Sequence, residues 1–466
     1  TGDLMSRISE DVGKVRQYVG PAVMYSVNTA IRMTVVIIQM YITSPELTFY
    51  ALLPVPILAY VMMRLSKEIN NRSFQYQQNL SRLSSFSQEI FSGVRVIKAY
   101  ALENEKDKEY EKITTESKNI FMRLASANAM IGPLMVLIIG VSNLLVIYIG
   151  AKLFINGTIT EIGIIAQFIL YINMLTWPIA SLGWVSTMIQ EADSSQKRIN
   201  EFLDEKPEIV NNNSEETPIK GKIEFKNVDF IYEDTNIQAL KNVSFTLEKG
   251  KTLAILGKTG SGKSTILNLI ARLYDSTSGE IFIDDVNIKK LNLNNLRNET
   301  AMVPQDAFLF SDSIKNNIKF GNENATDEEV IHFAKMADVH KNIEKFEKKH
   351  DTVLGERGLT LSGGQKQRVS IARALIKNPN ILLLDDCLSA VDTETEETIL
   401  NNLEKLTKDK TTIIVTHRVS SAKNADMIII LEDGEIIEQG SHSELINQNG
   451  YYKDLYSKQL SEKDIA

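Results

Sequence analysis

The stretch Gly257-Lys258-Thr259-Gly260-Ser261-Gly262-Lys263-Ser264-Thr265 decides the fold of the C-terminal half of this chain. It satisfies the spacing G-x-x-x-x-G-K-[ST] between an apolar strand, Thr252–Leu256, and an amphipathic segment, Ser264–Tyr274, which we predict to be a helix. Glycines let successive backbone N–H groups converge on phosphate oxygens beside a helix N-terminus. The nine residues are therefore predicted to bind a nucleotide, with Lys263 at the β- and γ-phosphates and the Ser264 hydroxyl on Mg²⁺.

Further apolar strands follow this loop. Ile381–Leu384 ends in Asp385-Asp386, and a carboxylate that emerges from a buried strand beside the loop supports Mg²⁺. We therefore predict Asp385 as a metal ligand. Thr412–Val415 is another buried strand, and Met427–Glu438 is a β-hairpin centred on Asp433-Gly434. Strands that alternate with helices predict an α/β core.

The loop occurs in many unrelated NTPases, whereas the pentapeptide Leu361-Ser362-Gly363-Gly364-Gln365 is typical of one superfamily. With it, residues 223–457 resemble an ABC ATPase domain along their whole length. The resemblance implies that Tyr232 stacks on adenine, that Gln305 touches Mg²⁺ and acts in catalysis, and that His417 contacts the γ-phosphate. It also implies that Ser362, Gly363, Gly364 and Gln365 contact the ATP held by the loop of a second chain.

Two shorter segments extend the resemblance. Gly355-Glu356-Arg357-Gly358 is similar to a segment that exporters carry just before the signature. Ser389-Ala390-Val391-Asp392 is similar to the loop that crosses the interface between two ATPase domains.

The N-terminal half contains candidate membrane spans, which need about 20 apolar residues each. Arg32 is the one charged residue within them, and it either faces protein or water or marks the membrane boundary of a longer helix. The intervening stretch Arg64–Arg123 holds 11 basic and 8 acidic residues. The excess of basic residues favours a cytoplasmic position, as does the need of the ATPase for cytosolic ATP. The four predicted spans are Val19–Ser44, Leu47–Met63, Leu124–Ala151 and Ile162–Gln190.

Charge is distributed unevenly along the 466 residues, whose net charge is −8. Residues 1–204 hold 18 basic and 17 acidic side chains, whereas residues 205–466 hold 33 and 42. A nucleic-acid-binding surface needs clustered Lys and Arg, so this balance argues against a nucleic-acid partner and against a soluble ABC ATPase that acts on DNA or ribosomes. The single cysteine, Cys387, forms no internal disulfide, which fits a reducing compartment.

Residues 1–204 resemble the membrane domain of ABC exporters of the multidrug and lipid type. Gly2–Arg7 with Asp11-Val12 looks like the first intracellular loop, and Ile90–Glu103 looks like the second, which docks on the partner's ATPase domain. The resemblance implies that the four spans are the family's third to sixth, so we expect the chain to be N-terminally truncated. The expected organisation is a partial, all-α transmembrane domain (1–205), a linker (206–222), an α/β P-loop NTPase domain of the ABC type (223–457) and a tail (458–466).

Asp386 departs from the family pattern, in which Asp-Glu ends the second motif and the Glu polarises the attacking water. Aspartate is one methylene shorter, and misplacing a general base by about 1 Å can cost ~10²-fold in rate. Such a change is typical of heterodimeric exporters with one degenerate site. The alternative, a homodimer in which Asp386 is the base, stays open.

The leading hypothesis is therefore a half-transporter in the plasma membrane that binds and hydrolyses ATP with Mg²⁺ and pairs with a second half-transporter. Its substrate would be a small hydrophobic or amphipathic drug, lipid or peptide-like molecule. Trp177, Trp184, Tyr171 and Met174 are candidates to line its cavity. An ATP-gated channel or regulator on the same scaffold is the alternative.

Overall fold

The computed structural model describes residues 2–355, 358, 361–389 and 391–463. The chain divides between Lys206 and Pro207 into two compact units. The first is helical and the second contains all the described strands. The domain boundaries expected from the sequence remain predictions.

Four described helices of the first unit are long and apolar enough to cross a membrane, as the sequence predicted. They are α1 (Gly2–Thr43), α2 (Pro45–Ser92), α4 (Glu103–Ile155) and α5 (Gly163–Asp204). A short helix, α3 (Val94–Ala99), lies between α2 and α4. Local irregularities divide three of the four long helices: π-helical turns at Arg7–Asp11 and Tyr18–Ala22 in α1, a turn at Leu53-Pro54 in α2, and a turn at Met130 in α4.

The apolar parts of these helices form one buried cluster and also present apolar side chains outward. Met40, Leu47, Val146 and Phe168 are fully buried in the cluster. On α4, by contrast, large apolar side chains are exposed, and a soluble protein does not leave such a band in contact with water. The exposed residues of α4 include Val136, Leu137, Leu144, Tyr148 and Ile155.

The charged stretch between the second and third spans is mostly helical. Arg72 of α2 donates a hydrogen bond to the carbonyl oxygen of Arg123 at 2.7 Å. The rings of Tyr76 and Phe121 lie 5.3 Å apart. The two helices therefore run side by side beyond their apolar segments.

The second unit contains two sheets. The larger has the order β10-β9-β3-β8-β7-β6, in which all pairs are parallel except β9 with β10. The smaller is antiparallel, with the order β2-β1-β4-β5. The strands are β1 (Ile223–Tyr232), β2 (Ile237–Leu247), β3 (Thr252–Gly257), β4 (Ser278–Ile283), β5 (Val286–Asn287), β6 (Thr300–Val303), β7 (Ile381–Asp385), β8 (Thr411–Val415), β9 (Met427–Glu432) and β10 (Glu435–Gly440).

Helices pack on both faces of the larger sheet, and 3₁₀ turns occupy Ile288–Lys290 and Lys349–Asp351. The helices are α6 (Lys263–Ile270), α7 (Leu293–Asn298), α8 (Ile314–Lys319), α9 (Asp327–Met336), α10 (His340–Ile343), α11 (Gly363–Ile376), α12 (Thr393–Leu406), α13 (Val419–Ala422), α14 (His442–Asn447) and α15 (Tyr451–Lys463).

The helix that follows the Gly257 loop is shorter than predicted. It ends at Ile270 rather than Tyr274, because Arg272 adopts a left-handed backbone with φ of 47°. The Leu273 N–H then bonds to the Asn268 carbonyl and the Arg272 N–H to the Leu269 carbonyl. This is the Schellman pattern that ends helices.

The polar segment before β1 has no regular secondary structure, yet it is fixed to the second unit. Asn211 accepts a hydrogen bond from the Leu293 N–H at 2.9 Å. The Asn380 side chain donates to the Ile219 carbonyl at 2.9 Å, and Ile219 itself is buried. Its first described hydrogen bond to this unit is that of Asn211, while Glu208 and Ile209 already lie beside Phe230.

Candidate nucleotide site

The Gly257 loop connects β3 to α6 through two glycines with positive φ. Gly262 (φ 99°) is the N-cap of α6, and a Cβ there would come within 2.3 Å of the Ala239 carbonyl oxygen. Gly260 (φ 84°) faces open space. A side chain at either position would be strained, and at Gly262 it would also clash with β2.

Lys263 is buried at the start of α6. Its Nζ donates to the carbonyl oxygens of Gly257 at 2.8 Å and Lys258 at 2.7 Å. Burial lowers the pKa of Lys263, and the nearby carboxylates of Asp386 and Asp385 oppose that shift. The loop thus fixes an ammonium group that lacks a direct carboxylate partner among the described residues, as an anion-binding site requires.

Two oxygen ligands suited to Mg²⁺ meet beside Lys263. The Ser264 hydroxyl donates to Asp385 Oδ1 at 3.0 Å. Asp385, at the end of β7, is 5% exposed, and its pKa is raised by burial and by neighbouring Asp386. Ser261 adds a buried hydroxyl with no hydrogen-bond partner in the described structure. A Mg²⁺ ion would relieve the raised pKa of the Asp385 carboxyl, so Ser264 and Asp385 fit such an ion.

A cavity of about 640 Å³ opens over the loop. It brings together Tyr232, Thr259, Gly260, Gly262, Lys263, Ser264, Thr265, Gln305, Asp385, Asp386 and His417, all singled out from the sequence. Within the described part of the chain, its lining includes none of Gly257, Lys258, Ser261, Ser362, Gly363, Gly364 and Gln365. The Lys258 side chain turns away, with its Nζ 2.6 Å from the Glu432 carboxylate.

Sequence reasoning missed several residues of this cavity, including Gln238, Lys241, Asp433 and Gly434. They come from β2 and from the β9–β10 hairpin, where the Lys241 N–H bonds to the Gly434 carbonyl at 2.8 Å. No local motif marks them, since tertiary packing brings the hairpin beside the small sheet.

Asp386 lines the cavity and has a strained backbone conformation. Its φ is 43°, and its N–H donates to the Val415 carbonyl at 2.9 Å. Left-handed backbone is easier for Asp than for longer side chains. The short carboxylate and the unusual backbone therefore occur together at the position where the resemblance implies Glu.

His417, two residues after β8, faces the same cavity. Burial and the nearby Lys263 ammonium lower its pKa, so the imidazole is neutral at pH 7. Arg418 follows it and pairs with the buried carboxylate of Glu396, while also reaching the Ser389 and Val391 carbonyls. The residue after His417 thus holds the loop that follows Asp386.

Tyr232 reaches the cavity from β1. Its hydroxyl lies 3.1 Å from Thr265 Oγ1, and its ring meets Tyr274 edge-on at 5.5 Å between centroids. The ring is only partly buried, so it has room for a planar ligand.

The pentapeptide stands apart from this cavity, at the start of α11. Ser362 is the N-cap: its hydroxyl accepts the Gln365 N–H at 3.3 Å, and Gln365 Oε1 accepts the Ser362 N–H at 3.0 Å. This capping box stabilises the helix and leaves Ser362 and Gly363 exposed. Of the two neighbouring resemblances, Glu356, Arg357 and Ala390 lie outside the described residues.

Fold and site together define a P-loop ATPase fused to a membrane-spanning helical unit. Residues 1–179 match the model of the ABC transporter transmembrane region, and residues 240–389 match that of the ABC transporter. The second match includes the Gly257 loop, the pentapeptide and Asp386 but not Tyr232 or His417.

The relatives extend the match over both units. The chain is 39% identical to the multidrug resistance-like ATP-binding protein MdlA of Escherichia coli (strain K12) over 99% of its own length and 78% of that protein. It is 33% identical to the ATP-dependent lipid A-core flippase of Syntrophus aciditrophicus (strain SB), over 100% and 77%. A bacterial Atm1-family ABC exporter with ATP bound superposes with a TM-score of 0.81 at 28% identity, over 98% and 80%.

The chain belongs to the ABC exporters. It is an ATP-binding half-transporter: an integral, multi-pass membrane protein with a cytoplasmic ATPase domain whose activity is coupled to transport. The family and the membrane unit confirm the predicted class.

Proposed function

We propose that this half-transporter exports a small hydrophobic or amphipathic molecule, drug, lipid or peptide-like, by alternating access. It works as a dimer in which each ATP lies between the Gly257 loop of one chain and the pentapeptide of the other. One observation carries the arrangement: the cavity collects the chain's own loop, Asp385 and His417, whereas Ser362 and Gly363 are exposed elsewhere. The relatives' names, a multidrug resistance-like protein and a lipid A-core flippase, support the substrate class.

Seven residues of the cavity then have defined tasks. Lys263 binds the β- and γ-phosphates, and Tyr232 stacks on adenine. Ser264, Asp385 and Gln305 hold Mg²⁺, which neutralises phosphate charge when bound. Asp386 orients the attacking water, and the neutral His417 donates a hydrogen bond to the γ-phosphate. ATP drives the cycle because it binds the closed dimer better than the open one.

The second chain is proposed to be a different half-transporter with an intact Asp-Glu. The short, strained Asp386 supports this, because it makes the site on this chain slow. The alternative is a homodimer that uses Asp386 as its base. An ATP-gated channel or regulator is separated from both by measuring substrate flux against ion conductance in reconstituted vesicles.

Photolabelling with 8-azido-ATP tests the arrangement in an assembled transporter whose two subunits differ in size. Lys263→Ala in this chain should abolish labelling of this chain. Ser362→Ala in this chain should leave that labelling intact and reduce vanadate-trapped nucleotide on the other subunit. A loss of trapping confined to the chain that carries Ser362→Ala would contradict the head-to-tail arrangement.

A further inference from the structure

Two of the chain's five histidines face each other away from the nucleotide cavity. His340 begins α10, and His350 lies in the 3₁₀ turn Lys349–Asp351. His340 Nδ1 and His350 Nε2 are 3.0 Å apart, and the rings stack with centroids 5.3 Å apart. The left-handed backbone of Lys349, with φ of 44°, accompanies the turn that carries His350 back toward α10.

Glu344 completes a group of three donors. It follows His340 by four residues, so the two side chains share one face of the helical turn. The donor atoms of His340, Glu344 and His350 all lie within 4.8 Å of one another. His350 is 9% exposed, His340 is partly buried and Glu344 is exposed, so the group opens to solvent on one side.

The chemistry of the three donors fits a transition-metal ion. Two imidazoles and one carboxylate form a known zinc ligand set. At about 2.0–2.1 Å from a tetrahedral Zn²⁺, two nitrogen ligands lie roughly 3.3 Å apart. His340 Nδ1 and His350 Nε2, which are 3.0 Å apart, therefore need to move only slightly apart to bind such an ion. Burial and neighbouring His340 lower the pKa of His350, which favours the neutral ring that binds metals.

Neighbouring charges leave the group accessible. Lys349 pairs with Glu344 at 2.9 Å, but both side chains are exposed and such pairs are weak. Lys315 is occupied by Asp351 at 3.0 Å and Asp327 at 3.2 Å. Among the described residues, His350 Nδ1 has no hydrogen-bond partner, so only the contact with His340 sets its tautomer.

We propose that His340, Glu344 and His350 bind one divalent transition-metal ion of the Zn²⁺ type. This site would hold in place the segment that follows His350. Two residues after His350, Thr352 accepts the Ile314 N–H, and the Leu354 N–H donates to Asp312, both at 3.0 Å. This bridge joins the segment after Gln305 to the one that leads to Leu361. Bound metal therefore braces the contact between residues 312–314 and residues 352–354.

Zinc titration of the full-length, tag-free protein tests the site. After treatment with a chelator, the protein should bind one Zn²⁺ per chain by calorimetry, and Co²⁺ in its place should show a tetrahedral visible spectrum. Loss of an outer-shell partner alone weakens metal binding about 10–100-fold, so loss of a direct ligand in His340→Ala, His350→Ala or Glu344→Gln should weaken it at least as much. The exposed His332, eight residues before His340, supplies the control His332→Ala, which should bind normally.

A heat-denaturation scan separates loss of metal from loss of fold. Zn²⁺ should raise the melting temperature of the wild type and of His332→Ala but not of His340→Ala. If His350→Ala unfolds, His340→Ala and Glu344→Gln test the proposal instead, because those side chains are more exposed and their loss should leave the protein folded. Absence of stoichiometric Zn²⁺, or binding that survives both of these changes, would overturn the proposal.

Discussion

Restoring the missing methylene at position 386 is the sharpest perturbation of this site. In Asp386→Glu the carboxylate moves outward from the end of β7, toward the cavity lined by Lys263 and His417. A base misplaced by about 1 Å costs ~10²-fold, so the change should raise kcat of the purified chain by up to about 100-fold, or ~2.7 kcal/mol in barrier.

The same change should cost stability. Asp386 has φ of 43°, and left-handed backbone costs ordinary residues roughly 1–2 kcal/mol. A short polar side chain avoids part of that cost, so Asp386→Glu should destabilise the ATPase unit by about 1 kcal/mol and lower its melting temperature by ~2–4 °C. The expected result is therefore a higher kcat together with a lower melting temperature.

The assay is phosphate release at saturating ATP by the chain in lipid nanodiscs, beside a melting curve. Asp386→Asn is the matched control, because Asn also tolerates left-handed backbone but provides no base. If Asp386→Glu leaves kcat unchanged while Asp386→Asn reduces it to background, then Asp386 is already an efficient base. That result would refute the slow-site argument and favour the homodimer.

Three other perturbations probe separate parts of the ATPase unit. Lys263→Ala removes a charged hydrogen-bond donor worth about 1.5–3 kcal/mol, so ATP affinity by calorimetry should fall roughly 10–150-fold. The control is Lys251→Ala, which removes only an exposed pair with Asp426. Equal ATP affinities in both variants would show that the Gly257 loop does not bind the nucleotide. Arg418→Ala leaves the 2%-exposed Glu396 without its cation, and the unit should lose about 1–3 kcal/mol, less than for a fully buried pair because Arg418 is partly exposed. Glu396→Gln added to it should restore part of the melting temperature, and a wild-type melting curve for the single variant would disprove the coupling. Burial raises the pKa of the Cys387 thiol to about 12, so at pH 8 only ~10⁻⁴ of it is the reactive thiolate; maleimide should label it only after unfolding, as mass spectrometry can show, and labelling of the native protein within minutes would contradict its burial.

The parts of the fold that were predictable have strong local causes. The Gly257 loop needs glycine at a position where Ala239 leaves no room for a Cβ. The Asp433-Gly434 turn has positive φ at both residues, as the tight hairpin turn predicted from the sequence requires. In both places the backbone conformation itself selects the residue, so the sequence carries the signal.

The end of α6 was not predictable for the opposite reason. The position that turns left-handed is Arg272, not glycine, and apolar spacing continues through Leu273 and Tyr274. A tertiary contact and a local one overcome this preference. The carbonyl of the buried Arg272 accepts a bond from Arg297 of α7 at 2.8 Å, and its Nε lies 3.1 Å from nearby Asp275. Likewise, nothing in the spacing of His340 and His350 shows that a turn brings them together.

The attachment of the polar segment at Asn211 sets a tether length. Seven peptide steps separate Asp204, the last residue of α5, from Asn211, the first residue of this segment with a described hydrogen bond to the ATPase unit. A fully extended chain of that length reaches about 25 Å. The hydrogen bond of Asn211 can therefore persist through a transport cycle only while its partner Leu293 stays within about that distance of Asp204. Deleting residues between Glu205 and Val210 would shorten that working distance in steps of roughly 3.5 Å.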